Sequence, residues 1–333
     1  MHKSNTIDLV DNHGRKINYL RLGLTDKCNL RCVYCMPENG MRFAKEEDLL
    51  SWEENLQIVE IARSLGINKI RLTGGEPFVR VGIMDFIQKI SQFQDLEICI
   101  TTNAILALPY LDELKQLGVS HLNISLDSLN KDNFKKITRR DEFDSTLFAI
   151  QEMIGRGFNL KMNVVMMAGV NDHEIPNFIQ FAEKYPVEVR FIEEMPFNGQ
   201  GSFNSPHNLS EKEIFNLINQ EVKGLIPFEL NHGDTAINYQ LSHWKGKIGI
   251  IAAYSRSFCG ACNRLRITPT GMIKNCLYDS GVFNLKKFIR EGAKFGEIQQ
   301  KIREIVGNRF INGKEAEMNR EFKLRESMTT IGG

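Results

Sequence analysis

Three cysteines within eight residues constrain this chain more than anything else in it. Cys28, Cys32 and Cys35 stand in Thr25-Asp26-Lys27-Cys28-Asn29-Leu30-Arg31-Cys32-Val33-Tyr34-Cys35-Met36, spaced C-x3-C-x2-C. A loop with those spacings can turn three thiolates toward one point. An ordinary [4Fe–4S] centre takes four, so three would leave one iron open to a small molecule. Structural zinc is the alternative, but such sites want four ligands. His13 precedes the loop and His121 lies far downstream. A disulfide would need an oxidising compartment.

A second group, Cys259, Cys262 and Cys276, is spaced C-x2-C-x13-C. Alone, this spacing favours a zinc ribbon with His243 or His232 as a distant fourth ligand. Beside the first loop, a second iron–sulfur centre with an open position becomes the better reading. Six of seven cysteines thus fall into two groups, which suits metal ligation more than a disulfide framework. The seventh, Cys99, lies in an apolar stretch and reads as buried core.

The 333 residues allow one large or two ordinary domains. With 42 basic and 41 acidic side chains the net charge is +1, so no global field for a duplex exists and no nucleic-acid partner is expected. No apolar run approaches the roughly eighteen residues of a membrane span, and the polar start lacks a signal-peptide core. A cytoplasmic protein without a membrane partner is expected.

Residues 1–15 read as a loose polar arm. Strands are expected at 17–24, 69–73, 96–102, 121–126, 160–166 and 187–192. Helices are expected at 46–65 (with Ser51 as cap), 84–93, 110–117, 144–155 and 175–184. Short apolar strands alternating with helices imply parallel β/α units. Six units are too few for a closed barrel of eight, so an open or partial barrel or a doubly wound sheet fits. The cysteine loop, Gly74-Gly75-Glu76, Thr101-Thr102-Asn103, Ser125-Leu126-Asp127 and Glu193-Glu194-Met195 all follow strand ends, where such folds bind ligands. Residues 196–208 read as a loop or boundary, which divides the chain into an arm (1–15), a barrel (16–200) and a C-terminal region (201–333). That region reads as a helix at 209–222, short strands at 236–254 and mostly helix at 291–325.

Cys-Asn-Leu-Arg-Cys-Val-Tyr-Cys resembles the signature of the radical S-adenosylmethionine (SAM) superfamily, with Tyr34 at its usual aromatic position. The second triad, with Cys-Asn-Arg-Leu-Arg at 262–266, is similar to the GTP 3′,8-cyclase family, which opens molybdenum-cofactor biosynthesis. The likeness runs from Arg21 to the last residues, Gly332 and Gly333. It implies a partial (β/α)6 barrel with a C-terminal extension, two [4Fe–4S] clusters and SAM. It also implies a radical reaction that starts at C3′ of GTP. SAM contacts are implied for Tyr34, Gly75, Ser125 and Met195, and GTP contacts for Arg21, Arg71, Thr101, Lys161, Arg264, Leu265 and Arg266. Gly332 and Gly333 would form a functional tail. A flavodoxin or ferredoxin electron donor, a downstream cyclic pyranopterin monophosphate synthase and a homodimer follow on the same basis. Ala104, where that family often has Gly, implies a turn that avoids positive φ.

The chain has no G-x4-G-K-[ST] loop, so side chains must meet a triphosphate, and arginine forks do this best. Two competing readings remain at this point: a peptide-modifying radical enzyme, and a zinc-stapled binding protein without catalysis.

Overall fold

The computed structural model describes residues 8–199, 208–228, 233–320 and 326–332. Gly333 and His232 lie outside them, as does the boundary expected near residue 200.

The six expected strands form: β1 (Tyr19–Gly23), β2 (Lys69–Thr73), β3 (Glu97–Thr102), β4 (His121–Ser125), β5 (Asn159–Met166) and β6 (Val187–Glu193). They lie side by side in sequence order and all parallel. The C-terminal region adds β7 (Ile226–Pro227), β8 (Ala236–Gln240), β9 (Lys247–Ile251), β10 (Arg264–Ile267), β11 (Met272–Lys274) and β12 (Phe283–Asn284). It does not stand apart from the barrel. β9 pairs parallel with β6 at one edge, and β10 pairs parallel with β1 at the other. The parallel run therefore reads β10-β1-β2-β3-β4-β5-β6-β9, and antiparallel β11-β12 and β8-β7 cover its ends. β9 and β10 do not pair, so the barrel stays open.

β1 to β6 alternate apolar and polar residues over most of their length. Leu20, Leu22, Ile70, Leu72, Ile98, Ile100, Leu122, Ile124, Leu160, Met162, Val189 and Phe191 join the main apolar core with the helices. The intervening positions carry Arg21, Arg71, Thr101, Asn123, Lys161 and Arg190 inward. Parallel strands apolar on both faces would read as near-continuous hydrophobic runs. These do not, because their inner face lines a polar chamber.

Ser51 caps the helix Trp52–Ser64 in a capping box with Glu54, as expected. A helix at Lys131–Thr138, capped by Asn130, was not anticipated. Ala104 adopts φ 75, contrary to the expectation of an ordinary turn. Its methyl is fully buried, and its N–H is fixed by Thr102 Oγ1 at 3.0 Å, so packing holds a conformation that glycine adopts more readily. The amino-terminal segment is not loose from Asp8 onward. Leu9 is buried, Ile17 N donates to Leu9 O at 2.8 Å, and a buried Asp11–Arg15 ion pair closes the hairpin.

No described helix is long and apolar enough to cross a membrane.

Candidate active site

The loop after β1 is fixed before it reaches its first cysteine. Leu24 N donates to Thr73 O, Gly75 N to Thr25 O and Glu76 N to Lys27 O, at 2.8 to 2.9 Å. The glycine pair serves this packing. A Cβ on Gly74 would lie 2.3 Å from Thr25 O, and one on Gly75 would lie 2.3 Å from Lys27 O. Beyond Cys28, Arg31 N and Val33 N donate to Thr138 O and Ile137 O at the end of the unexpected helix. Cys35 N donates to Cys32 O at 3.0 Å, a tight turn that keeps those two thiols together.

All six grouped cysteines are free and line one cavity of about 510 Å³. The two triads thus face a shared chamber. Burial raises the Cys28 thiol to about 11, and it raises Cys32 and Cys35 well above the usual range, with mutual repulsion adding to it. Cys276 is likewise pushed up to about 11 by burial. Such sites disfavour bare thiolates and suit thiolates bound to a metal cluster. Cys262 differs. Burial would raise it too, but Arg264 and Arg309 bring it down to about 7. Among the described residues, no three His, Cys, Asp or Glu side chains converge tightly enough for a single metal ion. A cluster does not need that convergence, since each thiolate can take a different iron.

Each strand of the parallel run contributes at least one inward residue to the same chamber. Arg266, Arg21 and Arg71 form one register row across β10, β1 and β2. Burial and repulsion from Arg266 lower the Arg21 guanidinium to about 9. Arg71 Nε donates to Tyr19 Oη at 2.5 Å. Across the floor, Glu188 pairs with Lys161 at 3.7 Å and Lys247 at 3.2 Å, and also holds Arg190. Buried Thr101 Oγ1, Asn163 Oδ1 and Arg266 Nε have no hydrogen-bond partner among the described residues. Native interiors rarely leave such atoms unmatched, so a polyanionic ligand fits here.

At the strands' carboxyl ends, Tyr34 donates to Asp127 Oδ2 at 2.6 Å, and Val165 N donates to Asp127 Oδ1 at 2.8 Å. Burial nevertheless raises Asp127 to about 6. Glu76 accepts from Asn103 N, Thr102 Oγ1 and Phe78 N, yet burial raises it to about 7. Tyr34, Gly75, Ser125, Met195, Arg21, Arg71, Thr101, Lys161, Arg264 and Arg266 all line the chamber. Leu265 does not. Its side chain lies in the apolar core, so only its main chain is available to a ligand. Gly332 does not line it either, although a Cβ placed on it would lie 3.5 Å from Gly23 Cα and 3.8 Å from Thr73 Oγ1 at the ends of β1 and β2. Cys99 is a fully buried core residue as expected, in register with Arg71. Asn103, in a strand-end segment singled out from the sequence, also lines the chamber; Tyr19, Lys69, Asn123, Asn163, Arg190 and Thr329 line it too and were not anticipated.

The chain matches the model of the "Radical SAM superfamily" over residues 22–182 and that of "Molybdenum Cofactor Synthesis C" over 187–314. Streptococcus suis SuiB has a similar fold, with TM-score 0.60 and 12% identity over 89% of this chain and 67% of that one. Its SAM-bound form gives TM-score 0.58 and 14% identity over 86% and 69%. The open parallel barrel with a thiol triad at its mouth therefore defines a radical SAM protein. Relatives named GTP 3′,8-cyclase are 39% identical in Clostridium botulinum (strain Hall) and 36% in Petrotoga mobilis. Each alignment covers 98% of this chain and 100% of the relative. The chain belongs to the GTP 3′,8-cyclase family.

Proposed function

We propose that the protein is a radical SAM lyase that converts GTP to (8S)-3′,8-cyclo-7,8-dihydroguanosine 5′-triphosphate, the first step of molybdenum-cofactor biosynthesis. The observation that carries this reading is the pair of thiol triads lining one arginine-rich chamber. Cys28, Cys32 and Cys35 would hold one [4Fe–4S] cluster, and Cys259, Cys262 and Cys276 the other. When bound, SAM and the clusters supply a hydrogen-abstracting radical at the ribose and a seat for the guanine.

The chain's own side chains orient the substrate between those two positions. Arg21, Arg71, Arg264, Arg266 and Lys161 meet the triphosphate, and Thr101 adds a hydroxyl. The Leu265 contact is a main-chain one. Gly75, Ser125, Met195 and Tyr34 surround SAM, and Asp127 fixes the Tyr34 hydroxyl. Enclosure by the strands keeps water from the reactive carbon. An external one-electron donor of the flavodoxin or ferredoxin class, hand-over to a cyclic pyranopterin monophosphate synthase, a homodimer and a cytoplasmic setting complete the reading.

Anaerobic incubation with GTP, SAM and a reductant tests it. A nucleotide with the mass of GTP but a new retention, formed alongside 5′-deoxyadenosine, is the expected result. 5′-Deoxyadenosine without such an isomer would sink the proposal. Arg266→Gln removes a charge-assisted contact worth about 1.5–3 kcal/mol. Equilibrium dialysis is expected to show GTP bound roughly ten- to a hundredfold more weakly, with cluster content unchanged. Undiminished affinity would remove Arg266 from the site.

A further inference from the structure

The amino-terminal hairpin grips the second cysteine group, although it lies far from it in sequence. Arg15 Nη1 donates to Cys259 O at 3.2 Å and to Ile311 O at 2.8 Å, and Arg15 Nη2 donates to Phe310 O at 2.8 Å. Arg309 is held from both sides. Its N–H donates to Asn12 Oδ1 at 3.1 Å, and its carbonyl accepts from Asn12 Nδ2 at 3.1 Å and meets His13 Nε2 at 2.9 Å. Its guanidinium is buried. Nη1 donates to Arg264 O at 2.8 Å, Nη2 reaches Cys262 Sγ at 3.5 Å, and Nε lies 3.5 Å from Asp11 Oδ2. Asp11 is in turn locked by Arg15 Nε at 2.6 Å and by two backbone N–H groups at 2.9 Å.

Hydrogen bonds to ligand sulfur and nearby net charge set the potential of an iron–sulfur centre. A fixed cation stabilises the more negative, reduced state, and its effect is large in a buried site. We infer that Arg309 is a positioning and tuning residue: its hydrogen bond to the Cys262 sulfur raises the reduction potential of the second cluster, with Asp11 as the buried counter-charge. This rests on the reading that Cys259, Cys262 and Cys276 hold a four-iron cluster.

The test uses the full chain carrying Cys28→Ala, Cys32→Ala and Cys35→Ala, so that only the second centre reports. Anaerobic redox titration is followed by electron paramagnetic resonance, with iron and sulfide assayed in each sample. Arg309→Gln is expected to move the midpoint to more negative potential, and Arg309→Lys to bring it back toward the parent. Asp11→Asn keeps one acceptor oxygen for the His13 and Arg15 backbone N–H groups but loses its charge, and is expected to move the midpoint to more positive potential. A purely structural role moves Arg309→Gln and Asp11→Asn the same way or leaves both unmoved, and either result overturns the inference. If Arg309→Gln fails to retain its cluster, the sign of the Asp11→Asn shift decides. A positive shift upholds the inference, and a zero or negative shift overturns it. Zinc in the parent protein overturns the cluster reading and this inference with it. Iron and sulfide with unmoved midpoints overturn the inference alone.

Discussion

Gly75→Ala is expected to give a folded protein that keeps only about half of its iron and sulfide and cleaves SAM at least ~100-fold more slowly. The reason is steric. The added methyl would stand 2.3 Å from Lys27 O, 2.6 Å from Lys27 C and 2.8 Å from Asp26 O. These are backbone atoms immediately before Cys28, and no rotamer can move them aside. They are also tied down, since Glu76 N donates to Lys27 O at 2.9 Å. Relief requires the loop to move by roughly an ångström, which is enough to spoil a preorganised site. The apolar core lies on the other side of the sheet and is untouched, so folding survives. Gly118→Ala is the control. It has a left-handed φ of +77, a strain that Gly75 does not carry, yet a Cβ there meets nothing within 4 Å, so it loses only about 1–2 kcal/mol of stability and no iron. Full iron content with normal 5′-deoxyadenosine formation in Gly75→Ala would show that the loop tolerates displacement.

Much of this site could be read in the sequence because its determinants are local. The cysteine spacings, the glycines after β2 and the six strands are short-range signals. The arginines picked out by resemblance do line the chamber, Arg21 and Arg266 even sharing a register row. The strand pairing of Arg264–Ile267 was not readable. Four alternating residues predict a strand, but not that it docks parallel to a strand 245 positions earlier, as Tyr19 does with Arg264. The same limit hid the hairpin. Asp11 and Arg15 look like solvent-facing polar residues until Arg309 and the 310–311 carbonyls close over them. Some of the unanticipated lining residues did leave a trace. Lys69-Ile70-Arg71-Leu72-Thr73 and His121-Leu122-Asn123-Ile124-Ser125 alternate strictly, a pattern that predicts one polar face on each strand. Read as a set, those polar faces must meet inside a barrel. The helix Lys131–Thr138 had too weak a signal, with buried Phe134 and Ile137 its main apolar anchors.

Glu326→Ala is expected to release the carboxyl-terminal segment and to lower cyclised product roughly a hundredfold while SAM cleavage continues. Glu326 accepts from Lys274 Nζ through both oxygens at 2.9 Å, and from Arg320 Nη2 at 2.9 Å. The Lys274 side chain is 0% exposed, so removing Glu326 strips a buried ammonium of its hydrogen-bonded carboxylate and leaves only Asp279 to offset its charge, at a cost of about 3 kcal/mol. Undocking is the cheapest escape, because it lets water reach the ammonium. The contacts beyond the clamp are uncharged, among them Ser327 Oγ to Cys35 O at 2.6 Å, Met328 N to Phe197 O at 3.0 Å, Gly199 N to Glu326 O at 3.2 Å, and the buried Ile331. A loss of about 3 kcal/mol shifts the docked-to-released ratio by about two orders of magnitude. Ser327 touches the carbonyl of a proposed cluster ligand, and Thr329 lines the chamber, so release opens the substrate side to water. The first thiol loop keeps its own anchors on Thr138 and Ile137, which is why radical formation persists without productive cyclisation. Removing Gly332 and Gly333 tests the same segment from its other end, and is expected to abolish product with both clusters retained. Hydrogen exchange over residues 326–332, read with the ratio of cyclised nucleotide to 5′-deoxyadenosine, checks both variants. Wild-type protection and a wild-type ratio in Glu326→Ala would mean that the Lys274–Glu326–Arg320 cluster does not hold the tail.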